Sequence, residues 1–132
     1  MSQRLSLTTL LVDDYDRAIS FYVDQLGFEV RQDTRLTDEK RWVVVAPLGA
    51  EAGLLLAQAA NERQREAVGD QSGGRVFLFL ETDDFERDHF AFTQRGVRFT
   101  EASRHEPYGT VAVFEDVYGN RWDLIQLAFN GS

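Results

Sequence analysis

The chain contains no cysteine. That removes a disulfide framework, a thiolate zinc site and a cysteine nucleophile. It has no apolar run near the ~20 residues a membrane-spanning helix needs. The opening MSQRLSLTTLLVDDY meets two acids after a short apolar run, without the apolar core or cleavage site of a secretory leader. A cytoplasmic protein without membrane contact is therefore expected. Basic residues are outnumbered: the net charge is −8. Nucleic acid, which needs a basic face, is not an expected partner. The acids are scattered, as suits a soluble chain, and they favour cationic ligands. There is no Gly-rich phosphate loop, no G-x-G-x-x-G and no Ser-His-Asp arrangement, and only two histidines occur.

What is present is enough for one compact domain. At 132 residues and 43% apolar, the chain can bury a core without staples. Leu5 to Val12 reads as a strand. Asp13 or Asp14 can cap the helix that follows, whose stripe is Tyr15, Ala18, Ile19, Tyr22 and Leu26. Gly27 ends it. Strands are expected over Phe28 to Leu36, Arg41 to Ala46 and Gly53 to Gln58, with the valine run of the second buried on both faces. Residues 61–74 form a polar connector with a helical turn from Asn61 to Ala67.

The order then restarts. Arg75 to Thr82 is a strand, Phe85 to Phe92 a helix stopped by Gly96, and Val97 to Ser103 a strand. Residues 104–107 read as a loop. Strands Thr110 to Phe114 and Arg121 to Gln126 flank a turn at Gly119-Asn120. The repeat is visible residue by residue. Asp13-Asp14-Tyr15-Asp16-Arg17 recurs as Asp83-Asp84-Phe85-Glu86-Arg87, Tyr22 recurs as Phe92, and Gly27 as Gly96. The expected fold class is α+β: two tandem βαβββ modules, about 4–60 and 75–128, forming a curved mixed sheet around a cavity with helices outside.

This duplicated plan resembles the vicinal oxygen chelate superfamily, the group of glyoxalase I, bleomycin-resistance proteins and extradiol dioxygenases. The carriers are A-x-x-F-Y-x-x-x-L-G-F at Ala18, Phe21, Tyr22, Leu26, Gly27 and Phe28, and D-x-x-G-N-x-W-D-L at Asp116, Gly119, Asn120, Trp122, Asp123 and Leu124. The resemblance implies one domain over residues 1–132 and a homodimer. Metal-dependent members resemble one another in taking His, Glu or Gln ligands from the first and last strand of each half. Those positions fall here on Leu7, on Leu54 or Leu56 with Gln58 as the nearest donor, on Phe77 and on Asp123. Asp123 alone bears a carboxylate, so no metal ligand and no cofactor is assigned.

The expected function is binding of a small organic molecule in the cavity without a standard metal, as in bleomycin-resistance-like members. The alternatives are a divergent metal-dependent lyase or dioxygenase and a non-catalytic interaction module with a filled cavity. Candidate ligand-binding residues are Gln58, Arg75, Phe77, Phe79, His105, Tyr108, Arg121 and Asp123. Trp42, Phe114 and Trp122 are further candidates for an aromatic lining. Alternation puts Phe77, Phe79 and Arg75 on one face and turns Trp122 toward the helix. Asp123 either faces a wet cavity or is neutralised by Arg75 or Arg121. Buried and unpaired, it is the one candidate general acid or base, because burial raises a carboxyl pKa.

Overall fold

The structure is a computed structural model, and it describes residues 2–128. The chain divides into two compact units, Met1–Gly69 and Asp70–Ser132, and the division falls within the polar connector.

The first unit runs β1 (Leu7–Val12), α1 (Tyr15–Ile19), a π-helical continuation (Ser20–Gln25), β2 (Glu29–Arg35), β3 (Arg41–Ala46), β4 (Gly53–Gln58) and α2 (Glu62–Ala67). Its mixed sheet has the order β1-β4-β3-β2, with β1 and β4 parallel. Leu10, Val12, Val43, Val45 and Leu56 share a face by register and are buried. The helix packs there, against β3 and β4. Val44, on the other face, is buried too, as the valine run suggests.

The helix differs from the plain α-periodicity of the sequence. Its second half is π-helical: the Leu26 amide donates to the Phe21 carbonyl 3.1 Å away, five residues back. The extra residue in the turn rotates the stripe. Phe21 and Tyr22 are then both buried, their rings edge-to-face with centroids 5.1 Å apart.

The second unit runs β5 (Val76–Glu81), α3 (Phe85–Gln94), β6 (Arg98–Phe99), β7 (Arg104–Glu106), β8 (Gly109–Glu115) and β9 (Arg121–Leu127). Its five-stranded sheet has the order β5-β9-β8-β6, and β7 also pairs with β8. Ala112, Phe114, Trp122 and Leu124 face α3 and are buried. Phe114 stacks on Trp122 and meets Phe92 of α3 edge-on. Trp122 thus turns toward the helix as alternation requires, and Phe114, a candidate lining residue, belongs to the same core.

Two expectations are corrected here. The strand read over Val97 to Ser103 is only Arg98–Phe99, and residues 104–106, read as a loop, form β7. Together β6 and β7 occupy the edge that β2 occupies in the first unit. The Thr100 amide still donates to Val113, the chain then leaves the sheet at residues 101–103, and Arg104 rejoins it opposite Val111.

The duplicated motif does the same work twice. Asp14 accepts from the Arg17 amide and Asp84 from the Arg87 amide, each capping its helix. The aspartate before each cap pairs with the same arginine, Asp13 with Arg17 and Asp83 with Arg87. Gly27 and Gly96 follow the helices at φ 81° and 87°. These are left-handed values that a side chain would oppose. No described helix is long and apolar enough to cross a membrane.

Candidate functional site

Register decides which candidates share a surface. In the second unit β9 lies between β5 and β8. Asp123 is paired with Phe79 on one side and with Val113 on the other. Val111, Ile125 and Arg121 share that face, which is turned away from α3. Ile125 and Val111 are buried, whereas Phe79 is 63% exposed.

A register shift in β5, between Val76 and Leu78, leaves Phe77 as the extra residue of a bulge. Phe77 is half-buried there. The alternation that put Arg75 there does not extend past the bulge, and Arg75 lies outside β5, exposed. Neither Arg75 nor Arg121 makes an ion pair with Asp123 among the described residues, so the neutralising partners considered from sequence are not in place.

Asp123 is 8% exposed. Its Oδ1 is buried and has no hydrogen-bond partner. Burial is the chief cause that pushes its carboxyl above the usual range; Arg104 pulls the other way, and Glu101 adds to the rise. Arg104 does not bond Asp123. Its guanidinium is held by Glu101 at 2.8 Å and by Glu106 at 3.0 Å. Sequence reasoning missed this trio because it rests on the break between β6 and β7. The signal available was Arg104 and Glu106 two apart, which on a strand puts them on one face.

The other candidates lie elsewhere. His105 is paired with Thr110, and its Nδ1 is 3.2 Å from the Thr110 hydroxyl. Thr110 pairs with Gln126, so His105 belongs to the α3 side rather than to the Asp123 face. There it lines an open groove of about 710 Å³ with His89, Asp84, Phe85 and Gln126. His89 is itself packed between Phe85 and Phe99. Tyr108 is exposed in the turn between β7 and β8.

Gln58 is in the first unit, at the end of β4 and paired with Val12. It lines a groove of about 680 Å³ with Trp42, Leu11, Leu55 and Gln64. Leu7, Thr9 and Leu11 share the face of Leu55, not that of Leu54, Leu56 and Gln58. The strand pairs resolve the gap in the duplication: Thr9 pairs with Leu55 as Phe79 pairs with Asp123. The counterpart of Asp123 is thus Leu55, and the expected Leu54 or Leu56 is corrected by one residue.

The positions that the resemblance assigns to a metal are then Leu7, Leu55, Phe77 and Asp123, and they offer one carboxylate. A divalent ion needs several converging oxygen or nitrogen donors, so these residues do not fit one. Among the described residues no three His, Asp or Glu side chains come together as a metal would require.

Comparison with known proteins agrees with this architecture. A protein of Shewanella frigidimarina (strain NCIMB 400) is 50% identical over 129 residues, 96% of each chain. The crystal structure of UcmS2 is 32% identical, with a TM-score of 0.82, over 95% of this chain and 98% of that one. The crystal structure of TnmS3, described as an antibiotic binding protein from Streptomyces sp. CB03234, is 30% identical, with a TM-score of 0.77, over 96% of this chain and 98% of that one. The family model that matches, over residues 4–124, makes this chain a member of the Glyoxalase/Bleomycin resistance protein/Dioxygenase superfamily.

Proposed function

We propose that the protein binds a small organic molecule on the Asp123 face of its second unit, as a homodimer and without a standard metal. The observation that carries this is the pairing of an exposed aromatic, Phe79, with a buried acid whose Oδ1 has no partner. An apolar surface with a few placed polar groups is the usual composition of a small-molecule site. The similarity to TnmS3 supports the reading, since that protein is described as antibiotic-binding. The donor set argues against the enzymatic alternative. One carboxylate on a strand cannot generate the metal-bound oxygen chemistry of a lyase or dioxygenase.

The test begins with elemental analysis of protein purified without chelator. Less than a tenth of an equivalent, on the order of background, of Mn, Fe, Ni or Zn is expected, because a tetrahedral or octahedral ion needs more donors than these positions supply. A stoichiometric metal that is lost in Asp123→Ala would overturn the metal-free reading. A thermal-shift panel of cationic glycopeptides, aromatic acids and glutathione adducts follows. At least one class is expected to stabilise the protein saturably, and Phe79→Ala to weaken that binding by about tenfold, as loss of a large aromatic contact does. No stabilisation by any class would favour the non-catalytic module instead. Sedimentation of twice the 15.1 kDa chain mass checks the dimer.

A further inference from the structure

We propose that the open groove beside the start of α3 is a second binding site, and that it takes a small molecule carrying a guanidinium group on an aromatic body. The site lies on the helix side of the second sheet, away from the Asp123 face, and it stands independently of the function proposed above.

The first ground is the duplication. With Leu55 as the counterpart of Asp123, Val44 and Arg41 on β3 correspond to Val113 and Thr110 on β8. One strand further out, Arg35 opposite Arg41 corresponds to His105 opposite Thr110. Tyr15 and Asp16 at the start of α1 correspond to Phe85 and Glu86 at the start of α3. A groove opens at this same place in each unit, about 490 Å³ in the first and about 710 Å³ in the second.

The second ground is what occupies that place in the first unit. The Arg41 guanidinium donates to Asp33 from Nε at 3.1 Å and from Nη2 at 2.7 Å, and to Asp16 from Nη1 at 2.9 Å. Its central carbon lies 5.1 Å from the centre of the Tyr15 ring. One planar cation ties a strand, its hairpin partner and the helix together. The second unit keeps the ring and one carboxylate but has no such cation. Phe85 and Glu86 both line the groove, and Thr110 stands where Arg41 would be, its hydroxyl 3.2 Å from His105 Nδ1. Glu86 makes no ion pair among the described residues, whereas Asp16 is held by Arg41. Ser103, one residue before Arg104 as Asp33 is before Thr34, lines the groove as a neutral acceptor. No lysine or arginine lines it among the described residues, so an anionic ligand finds no partner there.

The third ground is the added wall. Phe90, 66% exposed, lines the groove where the first unit has Ser20 at the offset of the repeat. A guanidinium pairs with a carboxylate through its planar fork and stacks on aromatic rings. Phe90 offers an aromatic ligand body a further surface.

The test uses the intact protein and three matched probes: benzylguanidinium, benzylammonium and benzylurea. The first has charge and fork, the second charge alone, and the third the planar shape without charge. By calorimetry at pH 7 benzylguanidinium should bind at least about tenfold tighter than benzylurea, with benzylammonium between them. Glu86 is exposed, so Glu86→Gln keeps the fold; it should remove that advantage and leave benzylurea unchanged. Thr110→Arg places in the chain the cation that the first unit has. It should abolish benzylguanidinium binding without lowering the melting temperature. Phe79→Ala, on the other face of the sheet, should leave binding unchanged. Equal binding of the three probes, binding by none of them, or full binding by Thr110→Arg would overturn the proposal. Loss of binding in Phe79→Ala would also overturn it, since the probe would then occupy the Asp123 face. A peptide such as acetyl-Gly-Arg-Gly-amide should bind more weakly than benzylguanidinium; tighter binding would assign the groove to the arginine of a protein partner instead of a small molecule.

Discussion

Asp116 and Asp123 lie in the same turn-and-strand stretch, and both are buried. Asp116 closes its turn around Asn120, whose own Oδ1 accepts from the Gln71 amide, so this acid is structural. Asp123 contributes nothing comparable and is a net cost to the fold. Its folded pKa is raised, so between the ordinary carboxylate value and the folded value the native state holds more protons than the unfolded chain. Stability therefore falls as pH rises through that window and stays reduced above it. Asp123→Leu removes the penalty. The variant is expected to exceed the wild type by about 1–3 kcal/mol at pH 8, the cost of an unsatisfied buried polar group. The gap should narrow as pH is lowered toward the ordinary carboxylate value. Urea denaturation across that range measures it. A pH-independent gap, or a less stable variant at pH 8, would show that the carboxylate is satisfied after all. Such a gain in stability at the cost of binding is typical of functional residues.

Strand pairing sets what the site elements tolerate. β8 starts where β9 ends, with Gly109 opposite Leu127. Gly109 has φ 154°, and a Cβ there would run into the Gln126 carbonyl oxygen. Backbone cannot yield as a flexible side chain can, so Gly109→Ala is expected to cost about 2–4 kcal/mol. A thermal melt showing less than about a degree of loss would mean that β9 shifts freely, given the several degrees that 1 kcal/mol moves a small domain. Gln126 also accepts from the Phe85 amide at 2.7 Å, so displacing it loosens the start of α3. Elements carried by composition and punctuation are legible in the sequence. The aspartate caps, the glycines after both helices and the buried valines of β3 all fall where those signals put them. Elements that depend on tertiary pairing are not. Residues 98–106 carry a loop signal only at their end, before Pro107, and only the edge of β8 shows where they attach and where they leave. The π-helical turn is likewise invisible to a 3.6-residue period, because Phe21 and Tyr22 are adjacent and only one fits an α-helical stripe. The bulge in β5 hid the phase of Arg75 for the same reason: alternation is a local rule, and the extra residue at Phe77 resets it.

For the whole molecule, the duplication was the most legible property, because it is written in matched residues rather than in periodicity. Each strand pair of one unit also names its counterpart in the other. Thr9 and Leu55 stand where Phe79 and Asp123 stand, so the first unit has no carboxylate at the place Asp123 holds in the second. The net charge of −8 gives the last consequence. Dispersed acids create a field that draws cations toward the protein, and the field decays over roughly 10 Å at 0.1 M salt and 3 Å at 1 M. A cationic glycopeptide bound by the protein feels that field, and an aromatic acid is repelled by it. Raising salt from about 0.05 to about 0.5 M should then weaken binding of a cationic glycopeptide severalfold, measured by calorimetry, and should not weaken binding of an aromatic acid. Equal salt sensitivity of the two compounds would show that the net charge plays no part in binding.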